Sequence, residues 1–553
     1  MSRHQPTWLV TEEYRTTLSP SVLNRLINRE GVKRALLRRY LASRTVTCLE
    51  LASPGLPPLY LKEYRLRTFT GRIKHLFRSP ADREWHTALR IAERGVPTFV
   101  PLAVGNERRF GLPTASYLIT KEIGHAQSLK DYLVDHHLED ALQAGADRKQ
   151  ITSSLARFVK DLHRKGVVHH DFHWGNILID AGTKEAIRWY LMDLHRAKLK
   201  TRLHDRQRVN NLAALNTAFR YTTRKTERLR FLALYAQGDK RWEKRLHYFA
   251  RLIENSSDRM IRKNWHKQER RCLKHNRYFV PFSSSAYRGF MRRDVSSPGL
   301  LQLLQDPGRA FLSAGCVSVK DSRTTSSCTL PVETAGGAAE LFIKRYNYQN
   351  SLYAFKNLFR RSRAKRAWKT AQGLQSRNIP TPLPIAYVER RRARVLRESF
   401  FIARKVDDSI PLSMLCRDAG AGAKGEHAAG KKTLIHRAAV LVRMMHERGI
   451  WHRDLKAANI LVQKAPGDNP QLYLTDLDSI RFKQTVEPRE RMRDLARLNV
   501  SLLTIPSISV RDRLRFLYSY LNTSRTRDKK LRAYWVAIGR ETGKKLAKDS
   551  KKL

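Results

Sequence analysis

Acidic side chains are scarce in this chain of 553 residues: 50 Asp and Glu stand against 107 Lys and Arg, a net charge of +57. A surplus of that size says nothing about fold. It points to anionic partners (a lipid surface, phosphorylated substrates, nucleic acid) or else to a merely solvated basic surface. Cysteine is scarce too. Cys48, Cys272, Cys316, Cys328 and Cys416 are odd in number, scattered and without metal-ligand spacing. That argues against a disulfide framework or zinc site and fits a reducing compartment. No uninterrupted apolar run approaches the ~20 residues that cross a bilayer. Met1–Tyr14 shows no apolar signal-peptide segment, so any membrane attachment is expected to be peripheral. No nucleic-acid recognition motif is present, and no nucleic-acid partner is expected. What is present is an apolar content of 41%, enough for real cores in a chain long enough for two or three domains.

The stretch richest in chemistry is His169-His170-Asp171-Phe172-His173-Trp174-Gly175-Asn176, followed by Asp193 after the short apolar run Tyr190-Leu191-Met192. The same order returns in His452-Arg453-Asp454-Leu455-Lys456-Ala457-Ala458-Asn459, with Asp476 behind it. The offset is constant: 454 − 171 and 476 − 193 are both 283. The match runs well beyond these loops. Leu155, Phe158, Val159 and Leu162, an i, i+3, i+4, i+7 helical face, become Ala438, Leu441, Val442 and Met445. His163 becomes His446, Gly166 becomes Gly449, and Lys62 in Tyr-Leu-Lys-Glu-Tyr becomes Lys344 in Phe-Ile-Lys-Arg-Tyr. A whole domain is duplicated in tandem. The expected division is an N-terminal extension 1–35, a first domain 36–270, a linker 271–305 rich in Ser, Pro and Gly, and a second domain 306–553.

Phosphoryl transfer asks a protein to grip phosphates, neutralise charge with a metal and aim the acceptor oxygen. Asp171 and Asp454 stand where a carboxylate would orient an acceptor hydroxyl and take its proton. Asn176 with Asp193, and Asn459 with Asp476, supply oxygen ligands for Mg2+. Lys62 and Lys344, on alternating strands, would contact the α- and β-phosphates of ATP, with Glu84 on the next helix holding Lys62. That helix is expected to start at Ser79-Pro80-Ala81-Asp82 and to end at Gly95.

The ordered set of lysine, His-x-Asp-x-x-x-x-Asn and Asp resembles the protein-kinase-like superfamily over most of both halves. This implies an α+β chain of two tandem bilobal kinase-like domains. The run from Arg83-Glu84-Trp85 through Gly95-Val96-Pro97-Thr98, its echo from Trp368 through Ile379-Pro380-Thr381, and Asp193-Leu194-His195-Arg196-Ala197 resemble the bacterial lipopolysaccharide kinases. That resemblance implies ATP-dependent phosphorylation of Kdo or heptose hydroxyls in the lipopolysaccharide core. It also implies a peripheral place on the cytoplasmic face of the inner membrane. Departures matter as well. Neither copy has a glycine-rich phosphate loop or an Asp-Phe-Gly, and Ala367 lies opposite Glu84, so the second copy lacks that lysine-holding carboxylate. Asp494 stands where the first copy has Asn211, placed to brace the catalytic loop. A protein Ser/Thr kinase, one active domain with a pseudokinase partner, and a non-catalytic basic scaffold remain the rival readings.

Overall fold

Leu59 and Leu61 on one face of Leu59–Arg65, and Lys62 and Tyr64 on the other, are all buried, the pattern of a strand covered on both sides. In the computed structural model this strand lies inside a six-stranded sheet. The structure describes residues 5–41, 44–51, 57–135, 146–182, 187–347, 361–392, 395–418, 426–463, 470–523 and 529–550. The strand order is Thr7–Val10, Pro101–Arg109, Leu112–Lys121, Leu59–Arg65, Arg44–Leu51, Val32–Leu41, with every pairing antiparallel. The helix Pro80–Glu93 packs on one face of the sheet. Ser79 and Asp82 form a capping box at its start, and Pro80 sits in the first turn. Its buried face holds Ala81, Trp85, Ala88, Ile91 and a carboxylate, Glu84.

The helical lobe follows. Ala146–Arg164 buries Leu155, Val159 and Leu162 and ends ahead of Gly166, whose φ is +74°. The chain then turns into Val167–His169, paired with Ala197–Leu199, and Ile177–Asp180, paired with Arg188–Leu191. Helices Asp205–Phe219, Lys225–Ala236 and Leu246–Arg271 complete the lobe.

The second unit repeats the plan. Its seven-stranded sheet runs Phe279–Ser283, Arg288–Arg292, Pro384–Arg392, Val395–Arg404, Gly337–Tyr346, Thr325–Thr334, Val317–Ser322. Ser362 caps the helix Arg363–Ser376. Glu426–Glu447 leads to Gly449, Ile450–Trp451 and Ile460–Gln463, and three helices close the unit, Pro488–Leu503, Val510–Leu521 and Lys529–Ser550. The α+β architecture, twice a sheet-rich lobe followed by a helical lobe, is the one the sequence implied.

The domain edges differ from the expected ones. Contacts divide the chain into Met1–Arg262 and Lys263–Leu553. The stretch 1–35, expected as an extension, supplies the edge strand Thr7–Val10 and the helix Pro20–Ile27, whose Leu23 and Leu26 are buried. The stretch 271–305, expected as a linker, forms the hairpin of Phe279–Ser283 and Arg288–Arg292 and the helix Pro298–Gln305. The two stretches are counterparts. Thr7–Val10 pairs with Pro101–Arg109 as Arg288–Arg292 pairs with Pro384–Arg392, and both helices begin at a capping serine followed by proline, Ser19-Pro20 and Ser297-Pro298. The duplication therefore starts earlier than the catalytic motifs alone suggest.

Candidate active site

Placing Glu84 on the buried face of its helix puts a fully buried carboxylate under the sheet, which is costly unless it is paired and hydrogen-bonded. It is both. Lys62 Nζ lies 2.5 Å from Glu84 Oε1, the Tyr64 hydroxyl donates to Oε2, and the backbone N–H of Leu194 donates to Oε1 at 3.2 Å. Lys62 and Tyr64 are two apart on one strand and so share a face. The Leu194 bond ties the helix to the residue after Asp193, so the lysine, the glutamate and the Asp193 segment form one connected group.

Asp193 and Asp476 each follow a short strand in the left-handed region, at φ 59° and 55°. A non-glycine residue held there stores strain of the kind found at functional sites. The Asp193 carboxylate is gripped by Arg44, Nη1 to Oδ1 at 2.6 Å and Nη2 to Oδ2 at 3.2 Å, and by His195 Nδ1 at 2.7 Å. Burial opposes its ionisation. The bonds from His195 and Arg44 and the charges of Arg44 and Lys62 outweigh that, and hold the carboxyl well below the usual carboxylate range.

His169 joins the two ends of the site. Its Nε2 lies 3.0 Å from the Asp193 carbonyl and its Nδ1 accepts from the Asp171 N–H at 3.2 Å, which fixes a neutral tautomer. Burial lowers its pKa in the same sense. Asn176 Nδ2 donates to the Asp171 carbonyl at 2.8 Å, leaving its oxygen as the end that can serve a cation. The loop is braced from behind by Asn211, which accepts from His169 N–H and donates to His169 C=O. The Asp171 carboxylate is half-exposed, with Arg196 at 3.6 Å.

The second unit keeps the frame and changes the charges. Asn459 Nδ2 donates to the Asp454 carbonyl at 2.9 Å, and Lys456 Nζ is 3.0 Å from the Asp454 carboxylate. Asp494 accepts from the N–H groups of His452 and Arg453 at 2.9 and 3.0 Å, the bracing position of Asn211. Ala367 occupies the position of Glu84. Lys344 therefore turns to Asp476, 2.7 Å away, with Asp478 at 3.9 Å, and Arg363 locks Asp478 at 2.6 Å. Burial works against ionisation of Asp476, but Lys344 outweighs it and lowers the pKa.

The structure thus brings Lys62, Glu84 and Asp193 into one cluster, Asn176 beside Asp171, Lys344 beside Asp476, and Asn459 beside Asp454. Sequence reasoning missed Arg44, Tyr64, His195, Arg363 and Asp478. Arg44 is the cross-strand partner of Tyr64, so only the strand register could have revealed it. Asp478, two residues after Asp476, was visible in Asp-Leu-Asp but had no assigned role.

The donor set suits magnesium, a hard cation that takes carboxylate and amide oxygens. Glu84, Asp193 and His195 also approach one another within 4.8 Å, but Lys62 and Arg44 already neutralise that cluster. Asp193 with Asn176, and Asp476 with Asn459, are the oxygen donors that could hold such a cation. In the second unit Val317–Ser322 and Thr325–Thr334 form a hairpin without glycine at its turn, closed by Ser322 Oγ, which donates to the Thr325 carbonyl at 2.8 Å.

Comparison with known proteins gives a consistent picture. Residues 51–235 and 334–520 each match the lipopolysaccharide kinase (Kdo/WaaP) family. The lipopolysaccharide core heptose(I) kinase WaaP of Escherichia coli is 30% identical over 185 residues, 32% of this chain and 68% of that one. The enzyme of the same name from Pseudomonas aeruginosa is 28% identical over 159 residues, 28% of this chain and 59% of that one. A solved structure of WaaP in complex with acyl carrier protein aligns with 45% of this chain and 99% of its own, at 20% identity and a TM-score of 0.35.

Proposed function

The chain belongs to the lipopolysaccharide kinase (Kdo/WaaP) family, and on that premise we propose that it transfers phosphate from ATP to sugar hydroxyls of the lipopolysaccharide core. The observation that carries this reading is the twice-built set of a strand lysine held by carboxylates, an asparagine bonded to the carbonyl of the loop aspartate, and a left-handed aspartate at a strand end. In this reading Lys62 and Lys344 hold the nucleotide phosphates. Asn176 with Asp193, and Asn459 with Asp476, hold magnesium, which neutralises the phosphate charge when bound. Asp171 and Asp454 orient the acceptor hydroxyl and accept its proton. Their half-open carboxylates, beside Arg196 and Lys456, leave room for a sugar. Arg44 holds the Asp193 carboxylate that would serve the cation, so the same carboxylate carries both roles.

Both units are proposed to hold nucleotide. In the second, Asp478 fixed by Arg363 takes over the lysine-positioning work of Glu84. The basic surface would bring the protein to the anionic inner face of the membrane that carries its glycolipid acceptor. The test is transfer of labelled phosphate from ATP to purified lipopolysaccharide core, to free Kdo and heptose, and to a panel of proteins. Labelling of core glycolipid is expected. Labelling of proteins with none on glycolipid would favour a protein kinase instead.

A further inference from the structure

The segment between the Lys62 strand and the Glu84 helix takes no part in the site, yet it is unusual. Positions 65–78 contain no acidic residue and carry Arg65, Arg67, Arg72, Lys74 and Arg78. The chain forms a short helix, Phe69–Lys74, capped by Thr68, and its large apolar residues face outward: Phe69 is 66% exposed, Ile73 51% and Phe77 92%. Beside it the hairpin of Pro101–Arg109 and Leu112–Lys121 turns at Phe110 and Gly111, and Phe110 is 89% exposed. One guanidinium joins the two pieces. Arg108 donates to the Gly111 carbonyl at 3.2 Å and to the Leu76 carbonyl at 2.9 Å. Phe110 is held at φ +51°, a conformation that disfavours bulky side chains, so nothing in the turn itself rewards a phenylalanine there.

We propose that this face, with Phe69, Ile73, Phe77 and Phe110 at its tips and Arg67, Lys74, Arg78 and Arg109 around them, inserts into an anionic phospholipid surface. The four apolar side chains protrude individually, with cations between them. That suits a bilayer interface, which takes up separate apolar tips and binds the surrounding charge. Among the described residues Arg67, Lys74, Arg78 and Arg109 make no ion pair, so their charge is available to lipid phosphates. The sequence Lys-x-Leu-Phe-Arg at 74–78 recurs at 356–360, which lies outside the described residues. The proposal deepens the glycolipid reading and rests on it for why the enzyme visits a membrane. Its test needs neither ATP nor acceptor, so the two can fail separately.

The experiment is flotation of the full chain with vesicles of phosphatidylcholine alone or mixed with phosphatidylglycerol. The variants are Phe77→Ser with Phe110→Ser, and Arg67→Gln with Lys74→Gln; the thermal unfolding midpoint serves as the control for folding. Wild type is expected to float with the anionic vesicles only. The aromatic pair should lower partitioning about 100-fold, given the transfer free energy of two large apolar side chains, and the charge pair should lower it about 30-fold and weaken its salt dependence. Flotation of both variants at the wild-type level would overturn the proposal and leave the patch to an acidic protein partner. Failure of wild type to bind either vesicle would overturn it as well.

Discussion

Glu84 has no solvent-exposed surface and holds three donors: an ammonium, a phenol and a backbone N–H. Asp478, proposed as its counterpart in the second unit, lies 3.9 Å from Lys344 and comes from the segment after the strand rather than from the helix. Each is argued to position a lysine, and misplacement of a phosphate-gripping group by about 1 Å costs about 10²-fold in rate. Glu84→Gln should therefore cut turnover by the first centre about 10²-fold and raise its KM for ATP, and Asp478→Asn should do the same in the second. Steady-state kinetics in backgrounds where the other centre is disabled checks both, with thermal unfolding as a control. Unchanged kinetics for Asp478→Asn would remove it from the site. The legibility of these residues follows from their geometry. Lys62, Asp171, Asn176 and Asp193 sit at fixed spacings along the chain, so a linear reading reaches them. Arg44, Tyr64 and Arg363 act across strands or between elements, and only tertiary placement shows which carboxylate each one faces.

At the scale of elements, the delivery of each His-x-Asp loop depends on a glycine. Gly166 and Gly449 both sit at φ +74°, and a Cβ there would lie 1.9 Å from the Lys200 carbonyl oxygen and 2.2 Å from that of Lys483. Substitution by alanine meets backbone rather than a side chain that can swing away. Gly166→Ala is therefore expected to cost about 3 kcal/mol or more, read as a fall in the unfolding midpoint with loss of activity. A variant of wild-type stability would contradict the described turn. These helix ends were legible because a glycine after an apolar periodic run is a strong stop signal. The first strand of each unit was not. Thr7–Val10 is four residues long and pairs with Pro101–Arg109, far along the chain, where Gly105 leaves space for the Trp8 ring. Ser283-Ser284-Ser285 reads locally as linker, but it is the bend of a hairpin, where Ser284 Oγ accepts from the Tyr287 N–H at 3.0 Å. Ser297-Pro298 is likewise a helix start, with Ser297 Oγ accepting from the Leu300 N–H at 3.1 Å.

For the whole molecule, the duplication sets two similar frames with different charges around them. The first uses Glu84 on Lys62 and Arg44 on Asp193; the second uses Asp476 and Asp478 on Lys344 and Arg363 on Asp478. Both keep the loop aspartate, the asparagine bonded to its carbonyl and the left-handed aspartate, the parts that phosphoryl transfer uses most directly. No helix among the described residues is long and apolar enough to cross a membrane, and the proposed attachment to an anionic surface rests on the surplus of cations. Asp171 and Asp454 are each proposed to orient an acceptor hydroxyl in a working centre. The measurement is labelled phosphate transferred per molecule of core glycolipid by wild type, Asp171→Asn, Asp454→Asn and the double variant. Each single variant is expected to lose the share of its own centre, through a fall of about 10²- to 10⁴-fold there, and the double variant to lose transfer altogether. Full transfer by both single variants together with transfer by the double variant would contradict the account.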